Sequence, residues 1–192
     1  MRERSGFKIG EKAYLRTYAK YDDRAAADSI EGARSNGAWN KAQGGFRSDW
    51  NTSDKHSFTL QGDAYEAGES IHVTVPTLVG PFSSTSIDRD HAKGGNILGR
   101  WNYKASSESD MSLQMYIDNA QRNNDVFDDE RNTFDIDFQH AWTPYARHEV
   151  VWGTGYRLIK DNILGSDYLQ VTEQRRNDSL FNAFAQDKIA LV

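Results

Sequence analysis

The sequence has no cysteine, which excludes disulfide scaffolds, thiolate zinc sites and cysteine nucleophiles. The absence is compatible with an oxidising envelope compartment. No run of residues approaches the ~20 apolar positions of a membrane helix, so helical spans are excluded. Basic residues are not in excess, and the net charge of −5 lacks the electrostatic footprint of a nucleic-acid binder, so no nucleic-acid partner is expected. The opening Met1-Arg2-Glu3-Arg4 leads into no apolar stretch of the signal-peptide kind. Apolar residues are themselves scarce, at 38% with a mean hydropathy of −0.78. Catalytic patterns are missing too. His56, His72, His91, His140 and His148 form no His-Glu-x-x-His helix and show no close metal-ligand spacing. Gly94-Gly95 and Gly153-Thr-Gly155 fit no phosphate loop, and glycine in an extended segment more often marks a bend or close packing. The serines have no nucleophile elbow around them. No catalytic residue, cofactor or reaction is expected.

What the sequence does have is a rhythm. Segments of about ten alternating residues are joined in turn by tight polar links and long polar loops. Tight links are expected near 9–11, 51–56, 106–110 and 144–147, and long loops near 22–38, 68–93, 122–132 and 161–178. Over 133–143, Phe134, Ile136, Phe138 and Trp142 share one parity, and Asp135, Asp137 and Gln139 the other. This is the period-two signal of a strand. Segments 12–21, 57–67, 95–105, 111–121 and 148–160 repeat it. The glycine-rich segment 39–50 qualifies because Phe46 and Trp50 share a parity. In 179–191 the parity is blurred, since Phe181 and Phe184 fall on opposite sides. These make eight long strands, with a stub of another at 4–8.

The expected fold class is therefore all-β, an antiparallel meander of long strands forming part of a transmembrane β-barrel wall. One barrel face is apolar and the other polar, so low overall hydropathy is no obstacle. Trp50, Phe58, Tyr103 and Trp142 lie beside the short turns. Tyr21, Trp39, Tyr65, Phe134 and Tyr156 lie toward the long loops, as two aromatic girdles would.

Six segments carry a resemblance to a known family: Gly44-Gly-Phe-Arg-Ser-Asp-Trp50, Phe58-Thr-Leu-Gln-Gly-Asp63, Gly94-Gly-Asn-Ile-Leu-Gly-Arg-Trp101, Thr133-Phe-Asp-Ile-Asp-Phe-Gln-His140, Arg147-His-Glu-Val-Val-Trp-Gly-Thr-Gly-Tyr-Arg157 and Leu180-Phe-Asn-Ala-Phe-Ala-Gln-Asp-Lys-Ile189. In this order and with this alternation of links, they resemble the barrel portion of TonB-dependent outer-membrane receptors. Ser48 departs from the pattern, standing where similar strands carry a larger apolar residue. The resemblance implies residues 1–192 as a partial β-barrel domain of a wall that is 22-stranded in complete family members. The plug domain, the export signal and the remaining strands are expected outside this sequence. It also implies uptake of a ferric siderophore or similar scarce nutrient across the outer membrane of a Gram-negative bacterium. The implied partners are outer-membrane lipid and lipopolysaccharide, the plug, and through it the inner-membrane energy-transducing complex.

Candidate residues follow from that frame. Asp63, Arg100, Asp118, Asp135, Asp137 and Arg157 are expected to face the lumen, where they either hold the plug or line solvated wall. Val79, Phe82, Arg89, His91, Phe127 and Arg131 are candidate ligand contacts in outer loops. The segment 73–82 is unusually apolar for a loop. The acidic run 125–130 either binds a divalent ion, bridges lipopolysaccharide through one, or is simply solvated. Two other readings stay open: a self-contained eight-stranded barrel acting as anchor or adhesin, and a soluble carbohydrate-binding β-sandwich.

Overall fold

The computed structural model describes residues 1–26 and 37–190. These form one antiparallel sheet of nine strands in strict sequence order. The strands are β1 (Arg2–Ile9), β2 (Ala13–Arg24), β3 (Trp39–Asn51), β4 (His56–Pro76), β5 (Ser83–Ser106), β6 (Ser109–Asn123), β7 (Phe127–Tyr145), β8 (His148–Gly165) and β9 (Arg175–Ile189). The all-β meander expected from the alternation is what forms. The stub expected at 4–8 is the full strand β1, paired with β2 from Arg2↔Lys20 to Ile9↔Ala13.

The tight links fall where expected, but two of the long loops largely do not exist and a third is shortened. β4 and β5 stay paired up to Pro76↔Ser83, which leaves only a turn over 77–82. β6 and β7 are paired up to Asn123↔Asp128. β8 runs to Gly165, and the link to β9 spans 166–174. Backbone N–H and C=O groups need partners wherever the chain runs, so pairing outlasts the apolar alternation that makes a strand visible in sequence. Of the loop expected at 22–38, residues 27–36 lie outside the described residues, as does position 191 of the last expected strand.

Among the described residues β1 and β9 pair with no further strand, and the sheet does not close on itself. This counts against the self-contained eight-stranded barrel. There is likewise one layer and no second sheet, which counts against the β-sandwich. The only buried apolar residue among those described is Ala13, 9% exposed. A chain of 192 residues could bury a substantial core, yet this fold keeps nearly all its apolar side chains on a surface.

Candidate functional site

Residues directly opposite one another in an antiparallel ladder point to the same side, so the register assigns every strand residue to a face. One face carries Phe7 and Ile9 of β1, Ala13 and Leu15 of β2, Phe46 and Trp50 of β3, Phe58 and Leu60 of β4, and Ile97 and Trp101 of β5. It continues with Leu113, Met115 and Ile117 of β6, Phe134, Ile136 and Phe138 of β7, Trp152, Tyr156 and Leu158 of β8, and Phe181 of β9. This apolar belt runs unbroken across all nine strands. Many of its members are open to the surroundings, including Phe7, Ile97, Met115, Ile117, Trp142 and Phe181. Ser48 shares the belt face and is buried at 5%, its Oγ donating to the Tyr14 carbonyl at 3.3 Å.

At the short-turn edge of the belt the aromatics are clustered. His56 stacks on Tyr103 at 4.6 Å and on Trp101 at 5.9 Å, and the Trp101 indole N–H donates to His56 Nδ1 at 3.1 Å. The same chemistry recurs on β7 and β8. Trp152 donates to His140 Nδ1 at 3.1 Å, while His140 Nε2 meets the Ser109 hydroxyl at 2.9 Å. His140 is thus an edge-of-belt residue, as its position suggested. At the opposite edge Tyr21, Phe134 and Tyr156 are on the belt, but Trp39 and Tyr65 are not. Their parity puts them on the polar face, where Tyr65 lies against Lys41 at 5.0 Å. The second girdle is correspondingly thinner than expected.

The polar face brings the six lumen candidates together. Asp63, Arg100, Asp118, Asp135, Asp137 and Arg157 all lie on it, from β4 to β8. Asp135, 7% exposed, is the direct partner of Arg157 and accepts from its Nε at 2.7 Å. Arg100 donates to Gln114 at 3.0 Å through Nε. Asp63 accepts from the Tyr18 hydroxyl, which in turn accepts from Gln43 at 3.0 Å. On the same face Arg47 grips Asp49 through Nε at 3.0 and 3.1 Å, and Thr59 donates to Asp49 at 2.7 Å. Phe184, the residue that blurs the parity of β9, folds over Gly153. A Cβ at that glycine would lie 2.6 Å from the ring.

The outer-loop candidates do not converge. Val79 and Phe82 sit at the tip of the β4–β5 hairpin, exposed beside a fully exposed Leu78. Arg89 and His91 point to the belt side, where His91 meets Glu66 at 2.8 Å. Phe127 and Arg131 point to the polar side. Arg131 is bound to Asp161 through Nε at 2.6 Å, and the Arg122 guanidinium lies 5.6 Å from the Phe127 ring centre. Alternation along each strand separates residues that look clustered in sequence. The acidic run does not gather either: Asp128 binds Asn123, and Glu130 accepts from Asn119 and Asn132, each at 3.2 Å. Among the described residues no group of His, Cys, Asp or Glu side chains is arranged to hold a metal ion.

One cluster was not anticipated. Asp88 and Asp90, 6% and 7% exposed, fasten the β6–β7 turn to β5. Asp90 accepts from Arg122 Nε at 2.8 and 2.9 Å and from Asn124 at 3.2 Å. Asp88 accepts the Asp125 N–H at 2.8 Å. Asn124 Oδ1 accepts the N–H groups of Val126 and Phe127, both at 3.0 Å. The Arg122 hydrogen bonds hold the Asp90 carboxyl below the ordinary carboxylate range, and Asp90 in turn pushes the Arg122 guanidinium higher. From this latch β4 and β5 continue as a two-stranded arm, from Ile71↔Asp88 to Pro76↔Ser83, about 20 Å long at the usual strand rise.

No protein-family model matches the sequence, and no curated protein sequence matches it. Among solved structures the chain is similar to the copper transporter OprC, with a TM-score of 0.46 and 9% sequence identity, over 100% of this chain and 42% of that one. The chain thus spans less than half the length of that transporter.

Proposed function

We propose that this chain is a wall segment of an outer-membrane β-barrel, with the belt in lipid and the polar face toward a lumen. The observation that carries the reading is the belt itself. One face of a single-layer sheet is apolar across nine strands while the other holds paired charges and amides. In water such a face exceeds by far the apolar patches that soluble monomers expose. A bilayer covers it at no cost, and the strand lengths suit a tilted crossing. Unpaired backbone at β1 and β9 is not tolerated in hydrocarbon, so both edges are expected to meet further strands. Trp50, Trp101, Trp142 and Trp152 share the belt face, whereas Trp39 does not. In vesicles containing brominated lipid, tryptophan fluorescence of the full-length protein should be strongly quenched; removing Trp39 should raise the quenched fraction, whereas removing Trp101 should lower it. Fluorescence indifferent to bromination would sink the reading.

Within that frame the six motif segments favour a TonB-dependent receptor that takes up a ferric siderophore or similar scarce nutrient. The lumen-facing Asp63, Arg100, Asp118, Asp135, Asp137 and Arg157 would support a plug, and the plug would couple to the inner-membrane energy-transducing complex. Lipopolysaccharide would cover the outer belt. The cell-level test is deletion of the gene followed by growth with ferric siderophore as sole iron source. Unimpaired growth on every siderophore tried would remove iron uptake from the proposal.

A further inference from the structure

We propose that the polar face over β1 and β2 is an anion-binding stripe for small solutes bearing carboxylate or phosphate oxyanions. The proposal rests on the wall reading and names a class of solute for its polar side. Arg2, Arg4 and Lys8 occupy alternate positions of β1, opposite Lys20, Tyr18 and Tyr14, so all three point to the polar face. Arg16 joins them from β2, opposite Gly6. Gly6 puts no side chain between Arg4, Lys8 and Arg16. The cations therefore climb from the short-turn edge toward the long-loop edge in steps of about 7 Å, two strand residues apiece.

Among the described residues none of the four is held in a direct ion pair, whereas Lys20, Arg47, Arg122, Arg131 and Arg157 each have a partner. Arg2 and Arg16 do act at longer range on Asp22 and Asp49. The carboxylates nearest the stripe are already engaged: Asp49 by Arg47 and Thr59, Asp22 by Lys20, and Asp63 by Tyr18. The cation excess is also local. Farther along the same face Asp118, Asp135 and Asp137 dominate β6 and β7. Like charges on neighbouring strands repel, a cost that an oxyanion between them would offset. Guanidinium groups suit it because they grip carboxylate and phosphate through paired N–H donors, and rows of Arg and Lys are a general means of selecting anions in a pore.

The test uses the full-length protein refolded in detergent micelles, with citrate and inorganic phosphate as separate probes in calorimetric titrations at low ionic strength. The wild type should bind at least one probe, and added sodium chloride should weaken the binding. Arg4→Gln/Arg16→Gln should weaken it at least tenfold, and Arg4→Lys/Arg16→Lys, which keeps the charge but loses the paired donors, should weaken it less. Arg176→Gln, which removes an exposed cation elsewhere, should leave it unchanged. Should the glutamine pair fail to fold, Arg2→Gln/Lys8→Gln reads the same stripe. Citrate binding without phosphate binding would assign carboxylate solutes, and the reverse phosphorylated ones. Affinity unchanged by the glutamine variants, or no binding of either anion, would overturn the stripe. Failure to insert into brominated vesicles would overturn the wall reading and the stripe with it, whereas insertion without anion binding would overturn the stripe alone.

Discussion

β4 and β5 each pass through two regimes, and the same two strands behave differently in them. Below the rung Glu69↔Asp90 they have neighbours on both sides, and their apolar residues take the belt parity: Phe58 and Leu60 on β4, Ile97 and Trp101 on β5. Above it, among the described residues, neither continues a ladder with β3 or β6, and on β4 the apolar parity inverts. Ile71, Val73 and Val75 point to the polar side of the wall, while His72, Thr74 and Pro76 point to the belt side. No bulge interrupts β4 between the two regimes, so the inversion is written in side chains rather than backbone. The belt ends where an apolar outward face stops being useful. The surroundings, not the ladder, decide which parity is apolar.

The same charge placed in both regimes should have very different costs. Phe138→Arg in the middle of the belt should cost about 2–4 kcal/mol in equilibrium unfolding from lipid. Ile87→Arg on the belt side of the arm should stay within about 0.5 kcal/mol, as should Asp137→Asn on the polar face. Equal costs at Phe138 and Ile87 would erase the boundary.

Packing in the wall gives the next effect. Gly62→Val would put a Cβ 2.7 Å from the Asn96 carbonyl and 3.1 Å from Ile97, and such overpacking typically costs about 1–3 kcal/mol. A measured change below about 0.5 kcal/mol would mean that β4 and β5 separate more easily than their register implies.

The latch at the junction supplies a smaller effect with a definite sign. The Asp90 carboxyl is held below its unfolded value, so its contribution is present above the ordinary carboxylate range and is lost as pH falls through the lower folded value. A nitroxide at position 125 should stay immobile from neutral pH to about pH 4 and loosen only below it. Asp90→Asn should be loose throughout and flat with pH. Mobility that rises with alkalinity would contradict the assignment.

The smallest effect is expected from removing the arm. Replacing residues 73–86 with a tight turn should leave unfolding of the wall within about 0.5 kcal/mol of wild type. A larger loss would show that the arm braces the wall.

The wall was legible in the sequence because a two-sided environment imposes period-two alternation, and Phe134 to Trp142 display it against Asp135 and Asp137. The arm was not legible. Its apolar residues switch parity after Gly68, so 68–93 reads as a long loop. The six polar-face candidates emerged together because parity alone assigns a face. Height along the strand puts Trp39 and Tyr65 in a girdle, and parity overrules height. The latch lay hidden because Asp88 and Asp90 look like a solvated charge run. Their burial comes from Arg122, Asn124 and Asp125, more than thirty residues downstream.

The strict sequence order of the sheet also bears on how such a wall is assembled. Every ladder among the nine strands joins neighbours in the chain, so none of these pairings has to wait for a distant segment to arrive. Contacts of short sequence separation are the ones a chain finds quickly. Each hairpin, once formed, presents a ready template to the next strand, and growth can zipper from either end. The vulnerable feature at every stage is the growing edge, because an unpaired ladder will accept any strand that reaches it. Speed of local assembly and exposure of that edge are two results of a single topology.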